Sequence, residues 1–354
     1  MKKLILMLLA AVGSVNVASA ADDIYLRTEF RGTDYWSSDV DENKFTYVET
    51  NGSNEDVYTY TINASEIKTQ DIWFRLHISG WGAQICPYTT NGSYTFQFSN
   101  GQNETYGAKY EKSYFQGDTY SFGISHSTIK ASQYKITLFR GKNEVSYENE
   151  NCRVMWIKVE IVSMPATISA LGYATFSCDR ALDFSNVSGL TAYKASVNNG
   201  KVVLSPVTGK VKAGNGLLIA GTSTDIPVVI TDEGVNISDN LLKASLTDTE
   251  VAASTDGAYH YFLAGSDAAS LGFYNLASNA TSGAGKAYLE TTKALSSDPA
   301  TSRVAWIFAD DTTTGINAIQ NPQDNGILYD LQGRVAKTAK AGLYIKNGKK
   351  VLVK

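Results

Sequence analysis

Residues 72–78 read Ile72-Trp73-Phe74-Arg75-Leu76-His77-Ile78. Every second side chain is a large apolar one, and the side chains between are an indole, a guanidinium and an imidazole. A period of two is the signature of a β-strand, because successive side chains leave an extended backbone on opposite faces. One face therefore goes to a core and the other presents Trp73, Arg75 and His77. The same period recurs on both sides of this run. Ile24, Leu26, Thr28 and Phe30 alternate, as do Tyr58, Tyr60 and Ile62. So do Tyr94, Phe96 and Phe98; Tyr120, Phe122 and Ile124; Tyr134, Ile136 and Leu138; and Met155, Ile157, Val159 and Ile161. Asn51-Gly52, Asn91-Gly92 and Asn100-Gly101 supply turn residues that tolerate positive φ. No window of a dozen residues keeps a 3.6-residue apolar stripe. An antiparallel sandwich over 21–163 is the arrangement that buries one face of each strand.

The chain is 354 residues long, 43% apolar and 19% charged, enough for two packed domains with appendages. Thirteen of the 21 Tyr and four of the five Trp precede Met164-Pro165, beyond which Ala, Ser, Gly, Val and Leu take over, and that shift marks the boundary. Residues 164–310 carry further strands around ATFSC, TAYKASV, KVVLSPV, GLLIAG, IPVVI, AYHYFLAG and RVAWIFA. Residues 311–354 read as a linker followed by small β units, the last a hairpin turning at Asn347-Gly348. The expected fold is all-β: two β-sandwich-like domains followed by a short β-hairpin C-terminal tail.

Lys2 and Lys3 precede the apolar run LILMLLAAVG, and Ala18-Ser19-Ala20 ends the segment. That is the pattern of a secretory signal peptide over residues 1–20, cleaved after Ala20. Ser14 and Asn16 interrupt the run too early for a membrane span, so the mature chain is expected to have no transmembrane segment. Removing the leader turns the formal net charge of −4 into −6. The seven cations after Asp330, with no acid among them, leave residues 21–330 at −13. Nucleic acid is thereby an unsuitable partner for the main body. Cys86 and Cys152 fall in the first domain and Cys178 in the second; in an exported chain the first two are the pair available for a disulfide.

Catalytic signatures are scarce. His77, His126 and His260 are far apart, no nucleophile elbow or phosphate loop occurs, and the loop acids do not converge. The chain is expected to be no enzyme and to hold no cofactor or metal. Aromatic planes beside amides and acids suit a sugar, whose C–H face packs on a ring while its hydroxyls take directed hydrogen bonds. Trp36, Trp81 and Tyr88 supply such planes on loops, with Asp34, Gln84 and Asn91 as polar neighbours. Trp73, Arg75 and His77 form a second candidate surface. Trp156 and Trp306 are expected to pack within the fold. A protein-binding adhesin using the same aromatic face on a host surface protein is the leading rival, and an unrecognised glycoside hydrolase the third reading.

The last forty residues resemble the C-terminal sorting domain of Bacteroidota proteins that leave the cell by type IX secretion. The resemblance lies in Tyr329, Asp330, Gly333 and Arg334 of YDLQGRV, Gly342 and Tyr344 of GLY, and Lys350, Val351, Val353 and Lys354 at the end. It implies a tail read by secretion machinery and a body that is released or displayed on the cell surface. Residues 165–310, through ISALGYATFSCDRAL, VKAGNGLLIAG and GFYNLAS…GKAYLE, look like an accessory β domain of secreted proteins from the same bacteria, which implies a scaffold. IYLRTEFRGTDYW and WFRLHISGWGAQICPY are similar to segments of carbohydrate-binding modules from starch-utilisation outer-membrane proteins, and that similarity implies ligand contacts at Trp36 and Trp81.

Overall fold

The computed structural model describes residues 22–36, 38–79, 83–87, 93–98, 103–112, 121–147, 150–222, 225–295, 297, 302–309, 342–346 and 349–353. Among the described residues a single four-residue α-helix, His126–Ile129, interrupts the strands, so the chain is all-β as the alternation requires.

Among the described residues ten strands build the first half: β1 (Ile24–Thr28), β2 (Thr46–Thr50), β3 (Glu55–Asn63), β4 (Ile72–Ile78), β5 (Ala83–Pro87), β6 (Tyr94–Phe96), β7 (Asn103–Lys112), β8 (Phe122–Ile124), β9 (Gln133–Tyr147) and β10 (Glu150–Thr167). They neighbour one another antiparallel in the order β2-β3-β9-β10-β7-β5-β4-β1. β8 lies beside the first half of β4, and β6 runs parallel to β8. Side chains from β1, β3, β4, β8, β9 and β10 meet in one cluster, with Leu26, Ile62, Phe74, Leu76, Ile136 and Ile157 all fully enclosed. The sheet must therefore curl over on itself, sandwich-like, to bring its two ends face to face.

Each of the seven period-two runs contains a strand, with Phe30 and Phe98 just past the ends of theirs and Tyr120 outside the described residues. Three strands, β2, β5 and β7, lie outside them. β2 is exposed at every position, so no apolar face marks it, and β7 opens with the polar run Asn103-Glu104-Thr105. Such strands are held by pairing rather than by burial of their own side chains. Trp156 departs from its expected packing. It sits on β10 between Met155 and Ile157, both turned inward, so parity alone sends its ring outward, where it is 44% exposed.

β10 continues without a break through Met164-Pro165, where the composition changes, and its last residues pair with a strand from the second half. That half contributes β11 (Tyr173–Phe176), β12 (Leu182–Asp183), β13 (Leu190–Asn198), β14 (Lys201–Val207), β15 (Lys210–Val211), β16 (Leu217–Gly221) and β17 (Asp225–Ile230). β17 pairs with Ser163–Thr167 of β10 and hands on to β12 and β15, so one sheet crosses from the first core to the second. Met164 and Ile230 pack against both. The turn between β13 and β14 is Asn199-Gly200 with φ of 50° and 73°, the left-handed pair that a two-residue hairpin demands.

A further sheet, ordered Leu242–Ser245, Lys286–Thr291, Tyr259–Ala264, Gly272–Asn275 and Arg303–Val304, packs with β13, β14 and β16 around a third cluster. Trp306 is half-buried at the margin of that cluster, 5.4 Å from the Tyr173 ring and 5.8 Å from Phe273. Gly342–Lys346 and Lys349–Val353 pair antiparallel with each other. Gly342, Tyr344 and Lys350 lie in that pair, whereas Tyr329, Asp330, Gly333, Arg334 and Lys354 fall outside the described residues. Cys178 is a free thiol, partly enclosed. Cys86 on β5 and Cys152 on β10 have β7 between their strands, a separation of roughly 10 Å across two strand spacings. A disulfide spans less than about 7 Å between Cα atoms.

Candidate functional site

The outer face of β4 is the platform. Its inward residues, Ile72, Phe74, Leu76 and Ile78, are wholly buried and lock the strand, so Trp73, Arg75 and His77 project from a rigid base. Registration with the neighbours sets what stands beside each. Tyr25 of β1 is opposite His77, and Arg27 is opposite Arg75. Gly123 of β8 is opposite Trp73. That glycine is required by packing: a β-carbon there would come within 2.7 Å of the benzo edge of the Trp73 ring, which occupies that space. Gln84 of β5 is the register partner of His77 on the other side.

The segment after β1 folds back across this face. Tyr35 N–H donates to the Thr28 carbonyl at 2.9 Å, and Phe45 N–H to the Ile24 carbonyl at 2.7 Å, pinning the excursion at both ends. Between them Asp34 Oδ1 accepts the Trp36 N–H at 2.9 Å, an Asx turn that presents the indole. The Trp36 ring lies over the Arg75 guanidinium, 5.1 Å from Cζ to ring centroid. Arg75 is steadied from the other side, its Nε donating to Ser121 Oγ at 3.0 Å. Trp36 is thus stacked on Arg75, and Trp73 shares the outward face of β4 two residues before Arg75; these three half-buried side chains make the Trp36–Arg75–Trp73 row.

Arg27 is the clamp beneath it. Only 8% exposed, its guanidinium donates through Nη1 to the Trp36 carbonyl at 2.9 Å and through Nε to Asp39 Oδ1 at 3.0 Å. Nη2 lies 3.0 Å from His77 Nδ1. That same nitrogen of His77 is 2.8 Å from Asp39 Oδ1. Burial, and then the neighbouring Arg27 charge, push the His77 pKa below its ordinary 6.5, with Asp39 pulling the other way. The imidazole is accordingly neutral at pH 7.

Structure thus joins what the sequence presents as two surfaces. Trp36 and Asp34 of the loop belong to the same patch as Trp73, Arg75 and His77. Asp34 serves there as the turn-former that orients Trp36. Gln84 enters through its backbone register alone, and Trp81, Tyr88 and Asn91 lie outside the described residues. From the sequence, Asp39 stands only among the loop acids that do not converge, and Arg27, Ser121 and Gly123 are not singled out. Arg27 was legible, since it shares the outward parity of Tyr25 within the first alternating run. Asp39 and Ser121 reach the patch from loops and carry no periodic signal.

Two other features stand out. Trp156 on the outer face of β10 has Phe139 of β9 and Gly107 of β7 as register partners, beside the Lys158–Glu160 ion pair at 2.8 Å. A groove of about 720 Å³ runs between the end of β3, the short helix, β10 and β17, lined by Asn63, His126, Gln133, Ser163, Asp225 and Val229 among others. His126 Nδ1 is 2.9 Å from the Tyr134 hydroxyl. Among the described residues no three His, Cys, Asp or Glu side chains gather to hold a metal, and no helix is long and apolar enough to cross a membrane. Comparison of the chain with protein-family models, curated proteins and solved structures finds no match.

Proposed function

We propose that this is an exported, surface-displayed protein without catalytic activity, and that it binds a glycan on the outer face of β1 and β4. The observation that carries the reading is the Trp36–Arg75–Trp73 row. An indole stacked on a guanidinium, with a second indole on the same face of a locked strand, offers C–H stacking planes beside a charged donor, a combination that suits a pyranose ring. The row is set beforehand by Arg27 and Gly123, so little ordering cost falls on binding. Export through residues 1–20 and recognition of the C-terminal tail by secretion machinery complete the proposal, supported by the leader pattern and by the ordered motifs from Tyr329 to Lys354. Mass spectrometry of the chain recovered outside the cell tests that part, since it reports both ends of the mature product.

A glycan array on the mature chain tests the binding part. Wild type is expected to retain at least one glycan that Trp36→Ala and Trp73→Ala release; release of reducing ends from a polysaccharide would point to hydrolysis instead. A second reading, adhesion to a host surface protein, is favoured by the exposed Trp156 and its register partner Phe139, an apolar spot on the outer face of β10 and β9. Capture of a defined host protein that Trp156→Ala abolishes, with silence across the array, would select it.

A further inference from the structure

The contacts of His77 go beyond what a sugar platform needs. One ring nitrogen, Nδ1, faces both a donor, Arg27 Nη2 at 3.0 Å, and an acceptor, Asp39 Oδ1 at 2.8 Å. A nitrogen with a lone pair accepts from Arg27 and is set against the carboxylate. A nitrogen bearing a proton donates to Asp39 and is set against the guanidinium. Only the neutral Nε2–H tautomer leaves Nδ1 free to accept from Arg27; the imidazolium, protonated on both nitrogens, must donate to Asp39, so uptake of a proton removes the Arg27 bond and enforces the second pattern.

Arg27 is also the group that holds the Trp36 carbonyl, at 2.9 Å, and so fixes the loop that lays the Trp36 ring over Arg75. We propose that His77, Arg27 and Asp39 form a proton-operated latch on Trp36: protonation of His77 transfers its Nδ1 bond from Arg27 to Asp39, repels the guanidinium and loosens the Trp36 loop. The step takes up a single proton from solvent onto Nδ1 of the ring, exchanges the hydrogen bond to Arg27 for one to Asp39, and makes or breaks no other covalent bond. In the latched form, near neutral pH, the ring is the neutral Nε2–H tautomer and Arg27 binds His77, Asp39 and Trp36 at once. In the released form the imidazolium and Arg27 compete for one carboxylate, which cannot neutralise both.

The charged neighbours are few enough to name. On β1, Arg27 faces the ring and Tyr25 is its register partner; in the loop, Asp39 is the only carboxylate bonded to it among the described residues, while Lys44 is taken by Asp23 at 2.8 Å and lies over Tyr25. On β4 itself Arg75 is engaged by Ser121 and Trp36. β5 contributes Gln84, uncharged, at the paired position. Burial and Arg27 favour the neutral ring, so release belongs to mildly acidic rather than neutral solution.

The consequence for a ligand rests on the reading of Trp36 as a binding plane; the latch itself does not. The test therefore needs no sugar. In the full mature chain, the indole Nε1–H resonance of Trp36, assigned through Trp36→Phe, is followed against pH together with the imidazole resonances of His77. The latch predicts that the indole signal moves with the midpoint at which His77 itself titrates. It also predicts that His77→Gln abolishes the movement, and that Asp39→Asn shifts the midpoint down by on the order of one pH unit, since the carboxylate that rewards the proton is gone. A Trp36 signal indifferent to His77 titration overturns the latch, as does a transition that survives His77→Gln unchanged. Should that variant not fold, the coincidence of the two wild-type midpoints decides. If glycan binding is found, affinity through Trp36 is expected to fall up to tenfold per pH unit below that midpoint. Binding that fails everywhere while the two midpoints coincide refutes the platform and leaves the latch; binding that persists while Trp36 ignores His77 does the reverse.

Discussion

At the scale of single residues, the described structure invests its buried charge in holding the start of the chain and the Trp36 loop. Arg140 is 2% exposed and bonded to Asp22, just ahead of β1 and close behind the expected leader cleavage. Asp22→Asn weakens a charge-assisted contact at an enclosed guanidinium. It should lower stability by about 2 kcal/mol in chemical denaturation, while Asp23→Asn, whose partner Lys44 is exposed, should cost far less. His77 and His126 both have pKa values lowered chiefly by burial. The unfolded chain therefore binds more protons than the folded one as pH falls below 6.5. Stability is present above that value and is lost as pH drops through the folded pKa values. Denaturation midpoints measured from pH 7 to pH 5 should decline, and the double variant His77→Gln, His126→Gln should flatten the slope. Which of these residues was legible in advance follows from geometry. Trp73, Arg75 and His77 are fixed by parity, whereas the ties of Asp22 and Asp39 span distances in sequence that no local pattern encodes.

At the scale of elements, β4 was readable because it is central and buried on one face only, so its sequence alternates cleanly. β2 and β7 were not, because an exposed edge and a polar strand owe their conformation to their partners. Trp156 illustrates the limit from the other side. Its apolar character argued for burial, but the residues on either side of it own the inward parity, and one position cannot serve both faces. In the β4–β8 pair, the Trp73 ring takes its place only because Gly123 has no side chain. Gly123→Ala should displace the indole, cost about 1–3 kcal/mol and change the Trp73 environment in near-ultraviolet circular dichroism. An unchanged spectrum with unchanged stability would mean the ring is not seated there.

At the scale of the whole molecule, composition marks a change near Met164-Pro165, and hydrogen bonding crosses it. β10 belongs to the first core along most of its length and pairs with β17 at its end. A composition window sees the shift in residue usage but not a strand shared by two cores, which is why the crossing was not legible. Ending a fragment at residue 163 removes Met164 and the pairing that carries Ile230, both packed on the first cluster. The fragment 21–163 should melt about 5 °C below the same core in the full chain, as a loss of 1–2 kcal/mol at this size implies. Equal melting would show that the two halves are energetically independent. The acidic body and basic tail, by contrast, were visible from the first count of charges, and neither depends on the fold. The proposed function rests on the Trp36–Arg75–Trp73 row as a sugar platform. Isothermal titration of the mature chain with the best glycan from an array is the decisive measurement: saturable binding should fall at least tenfold in Trp36→Ala and again in Trp73→Ala, with both variants folded. Affinity untouched by both substitutions would overturn the proposal.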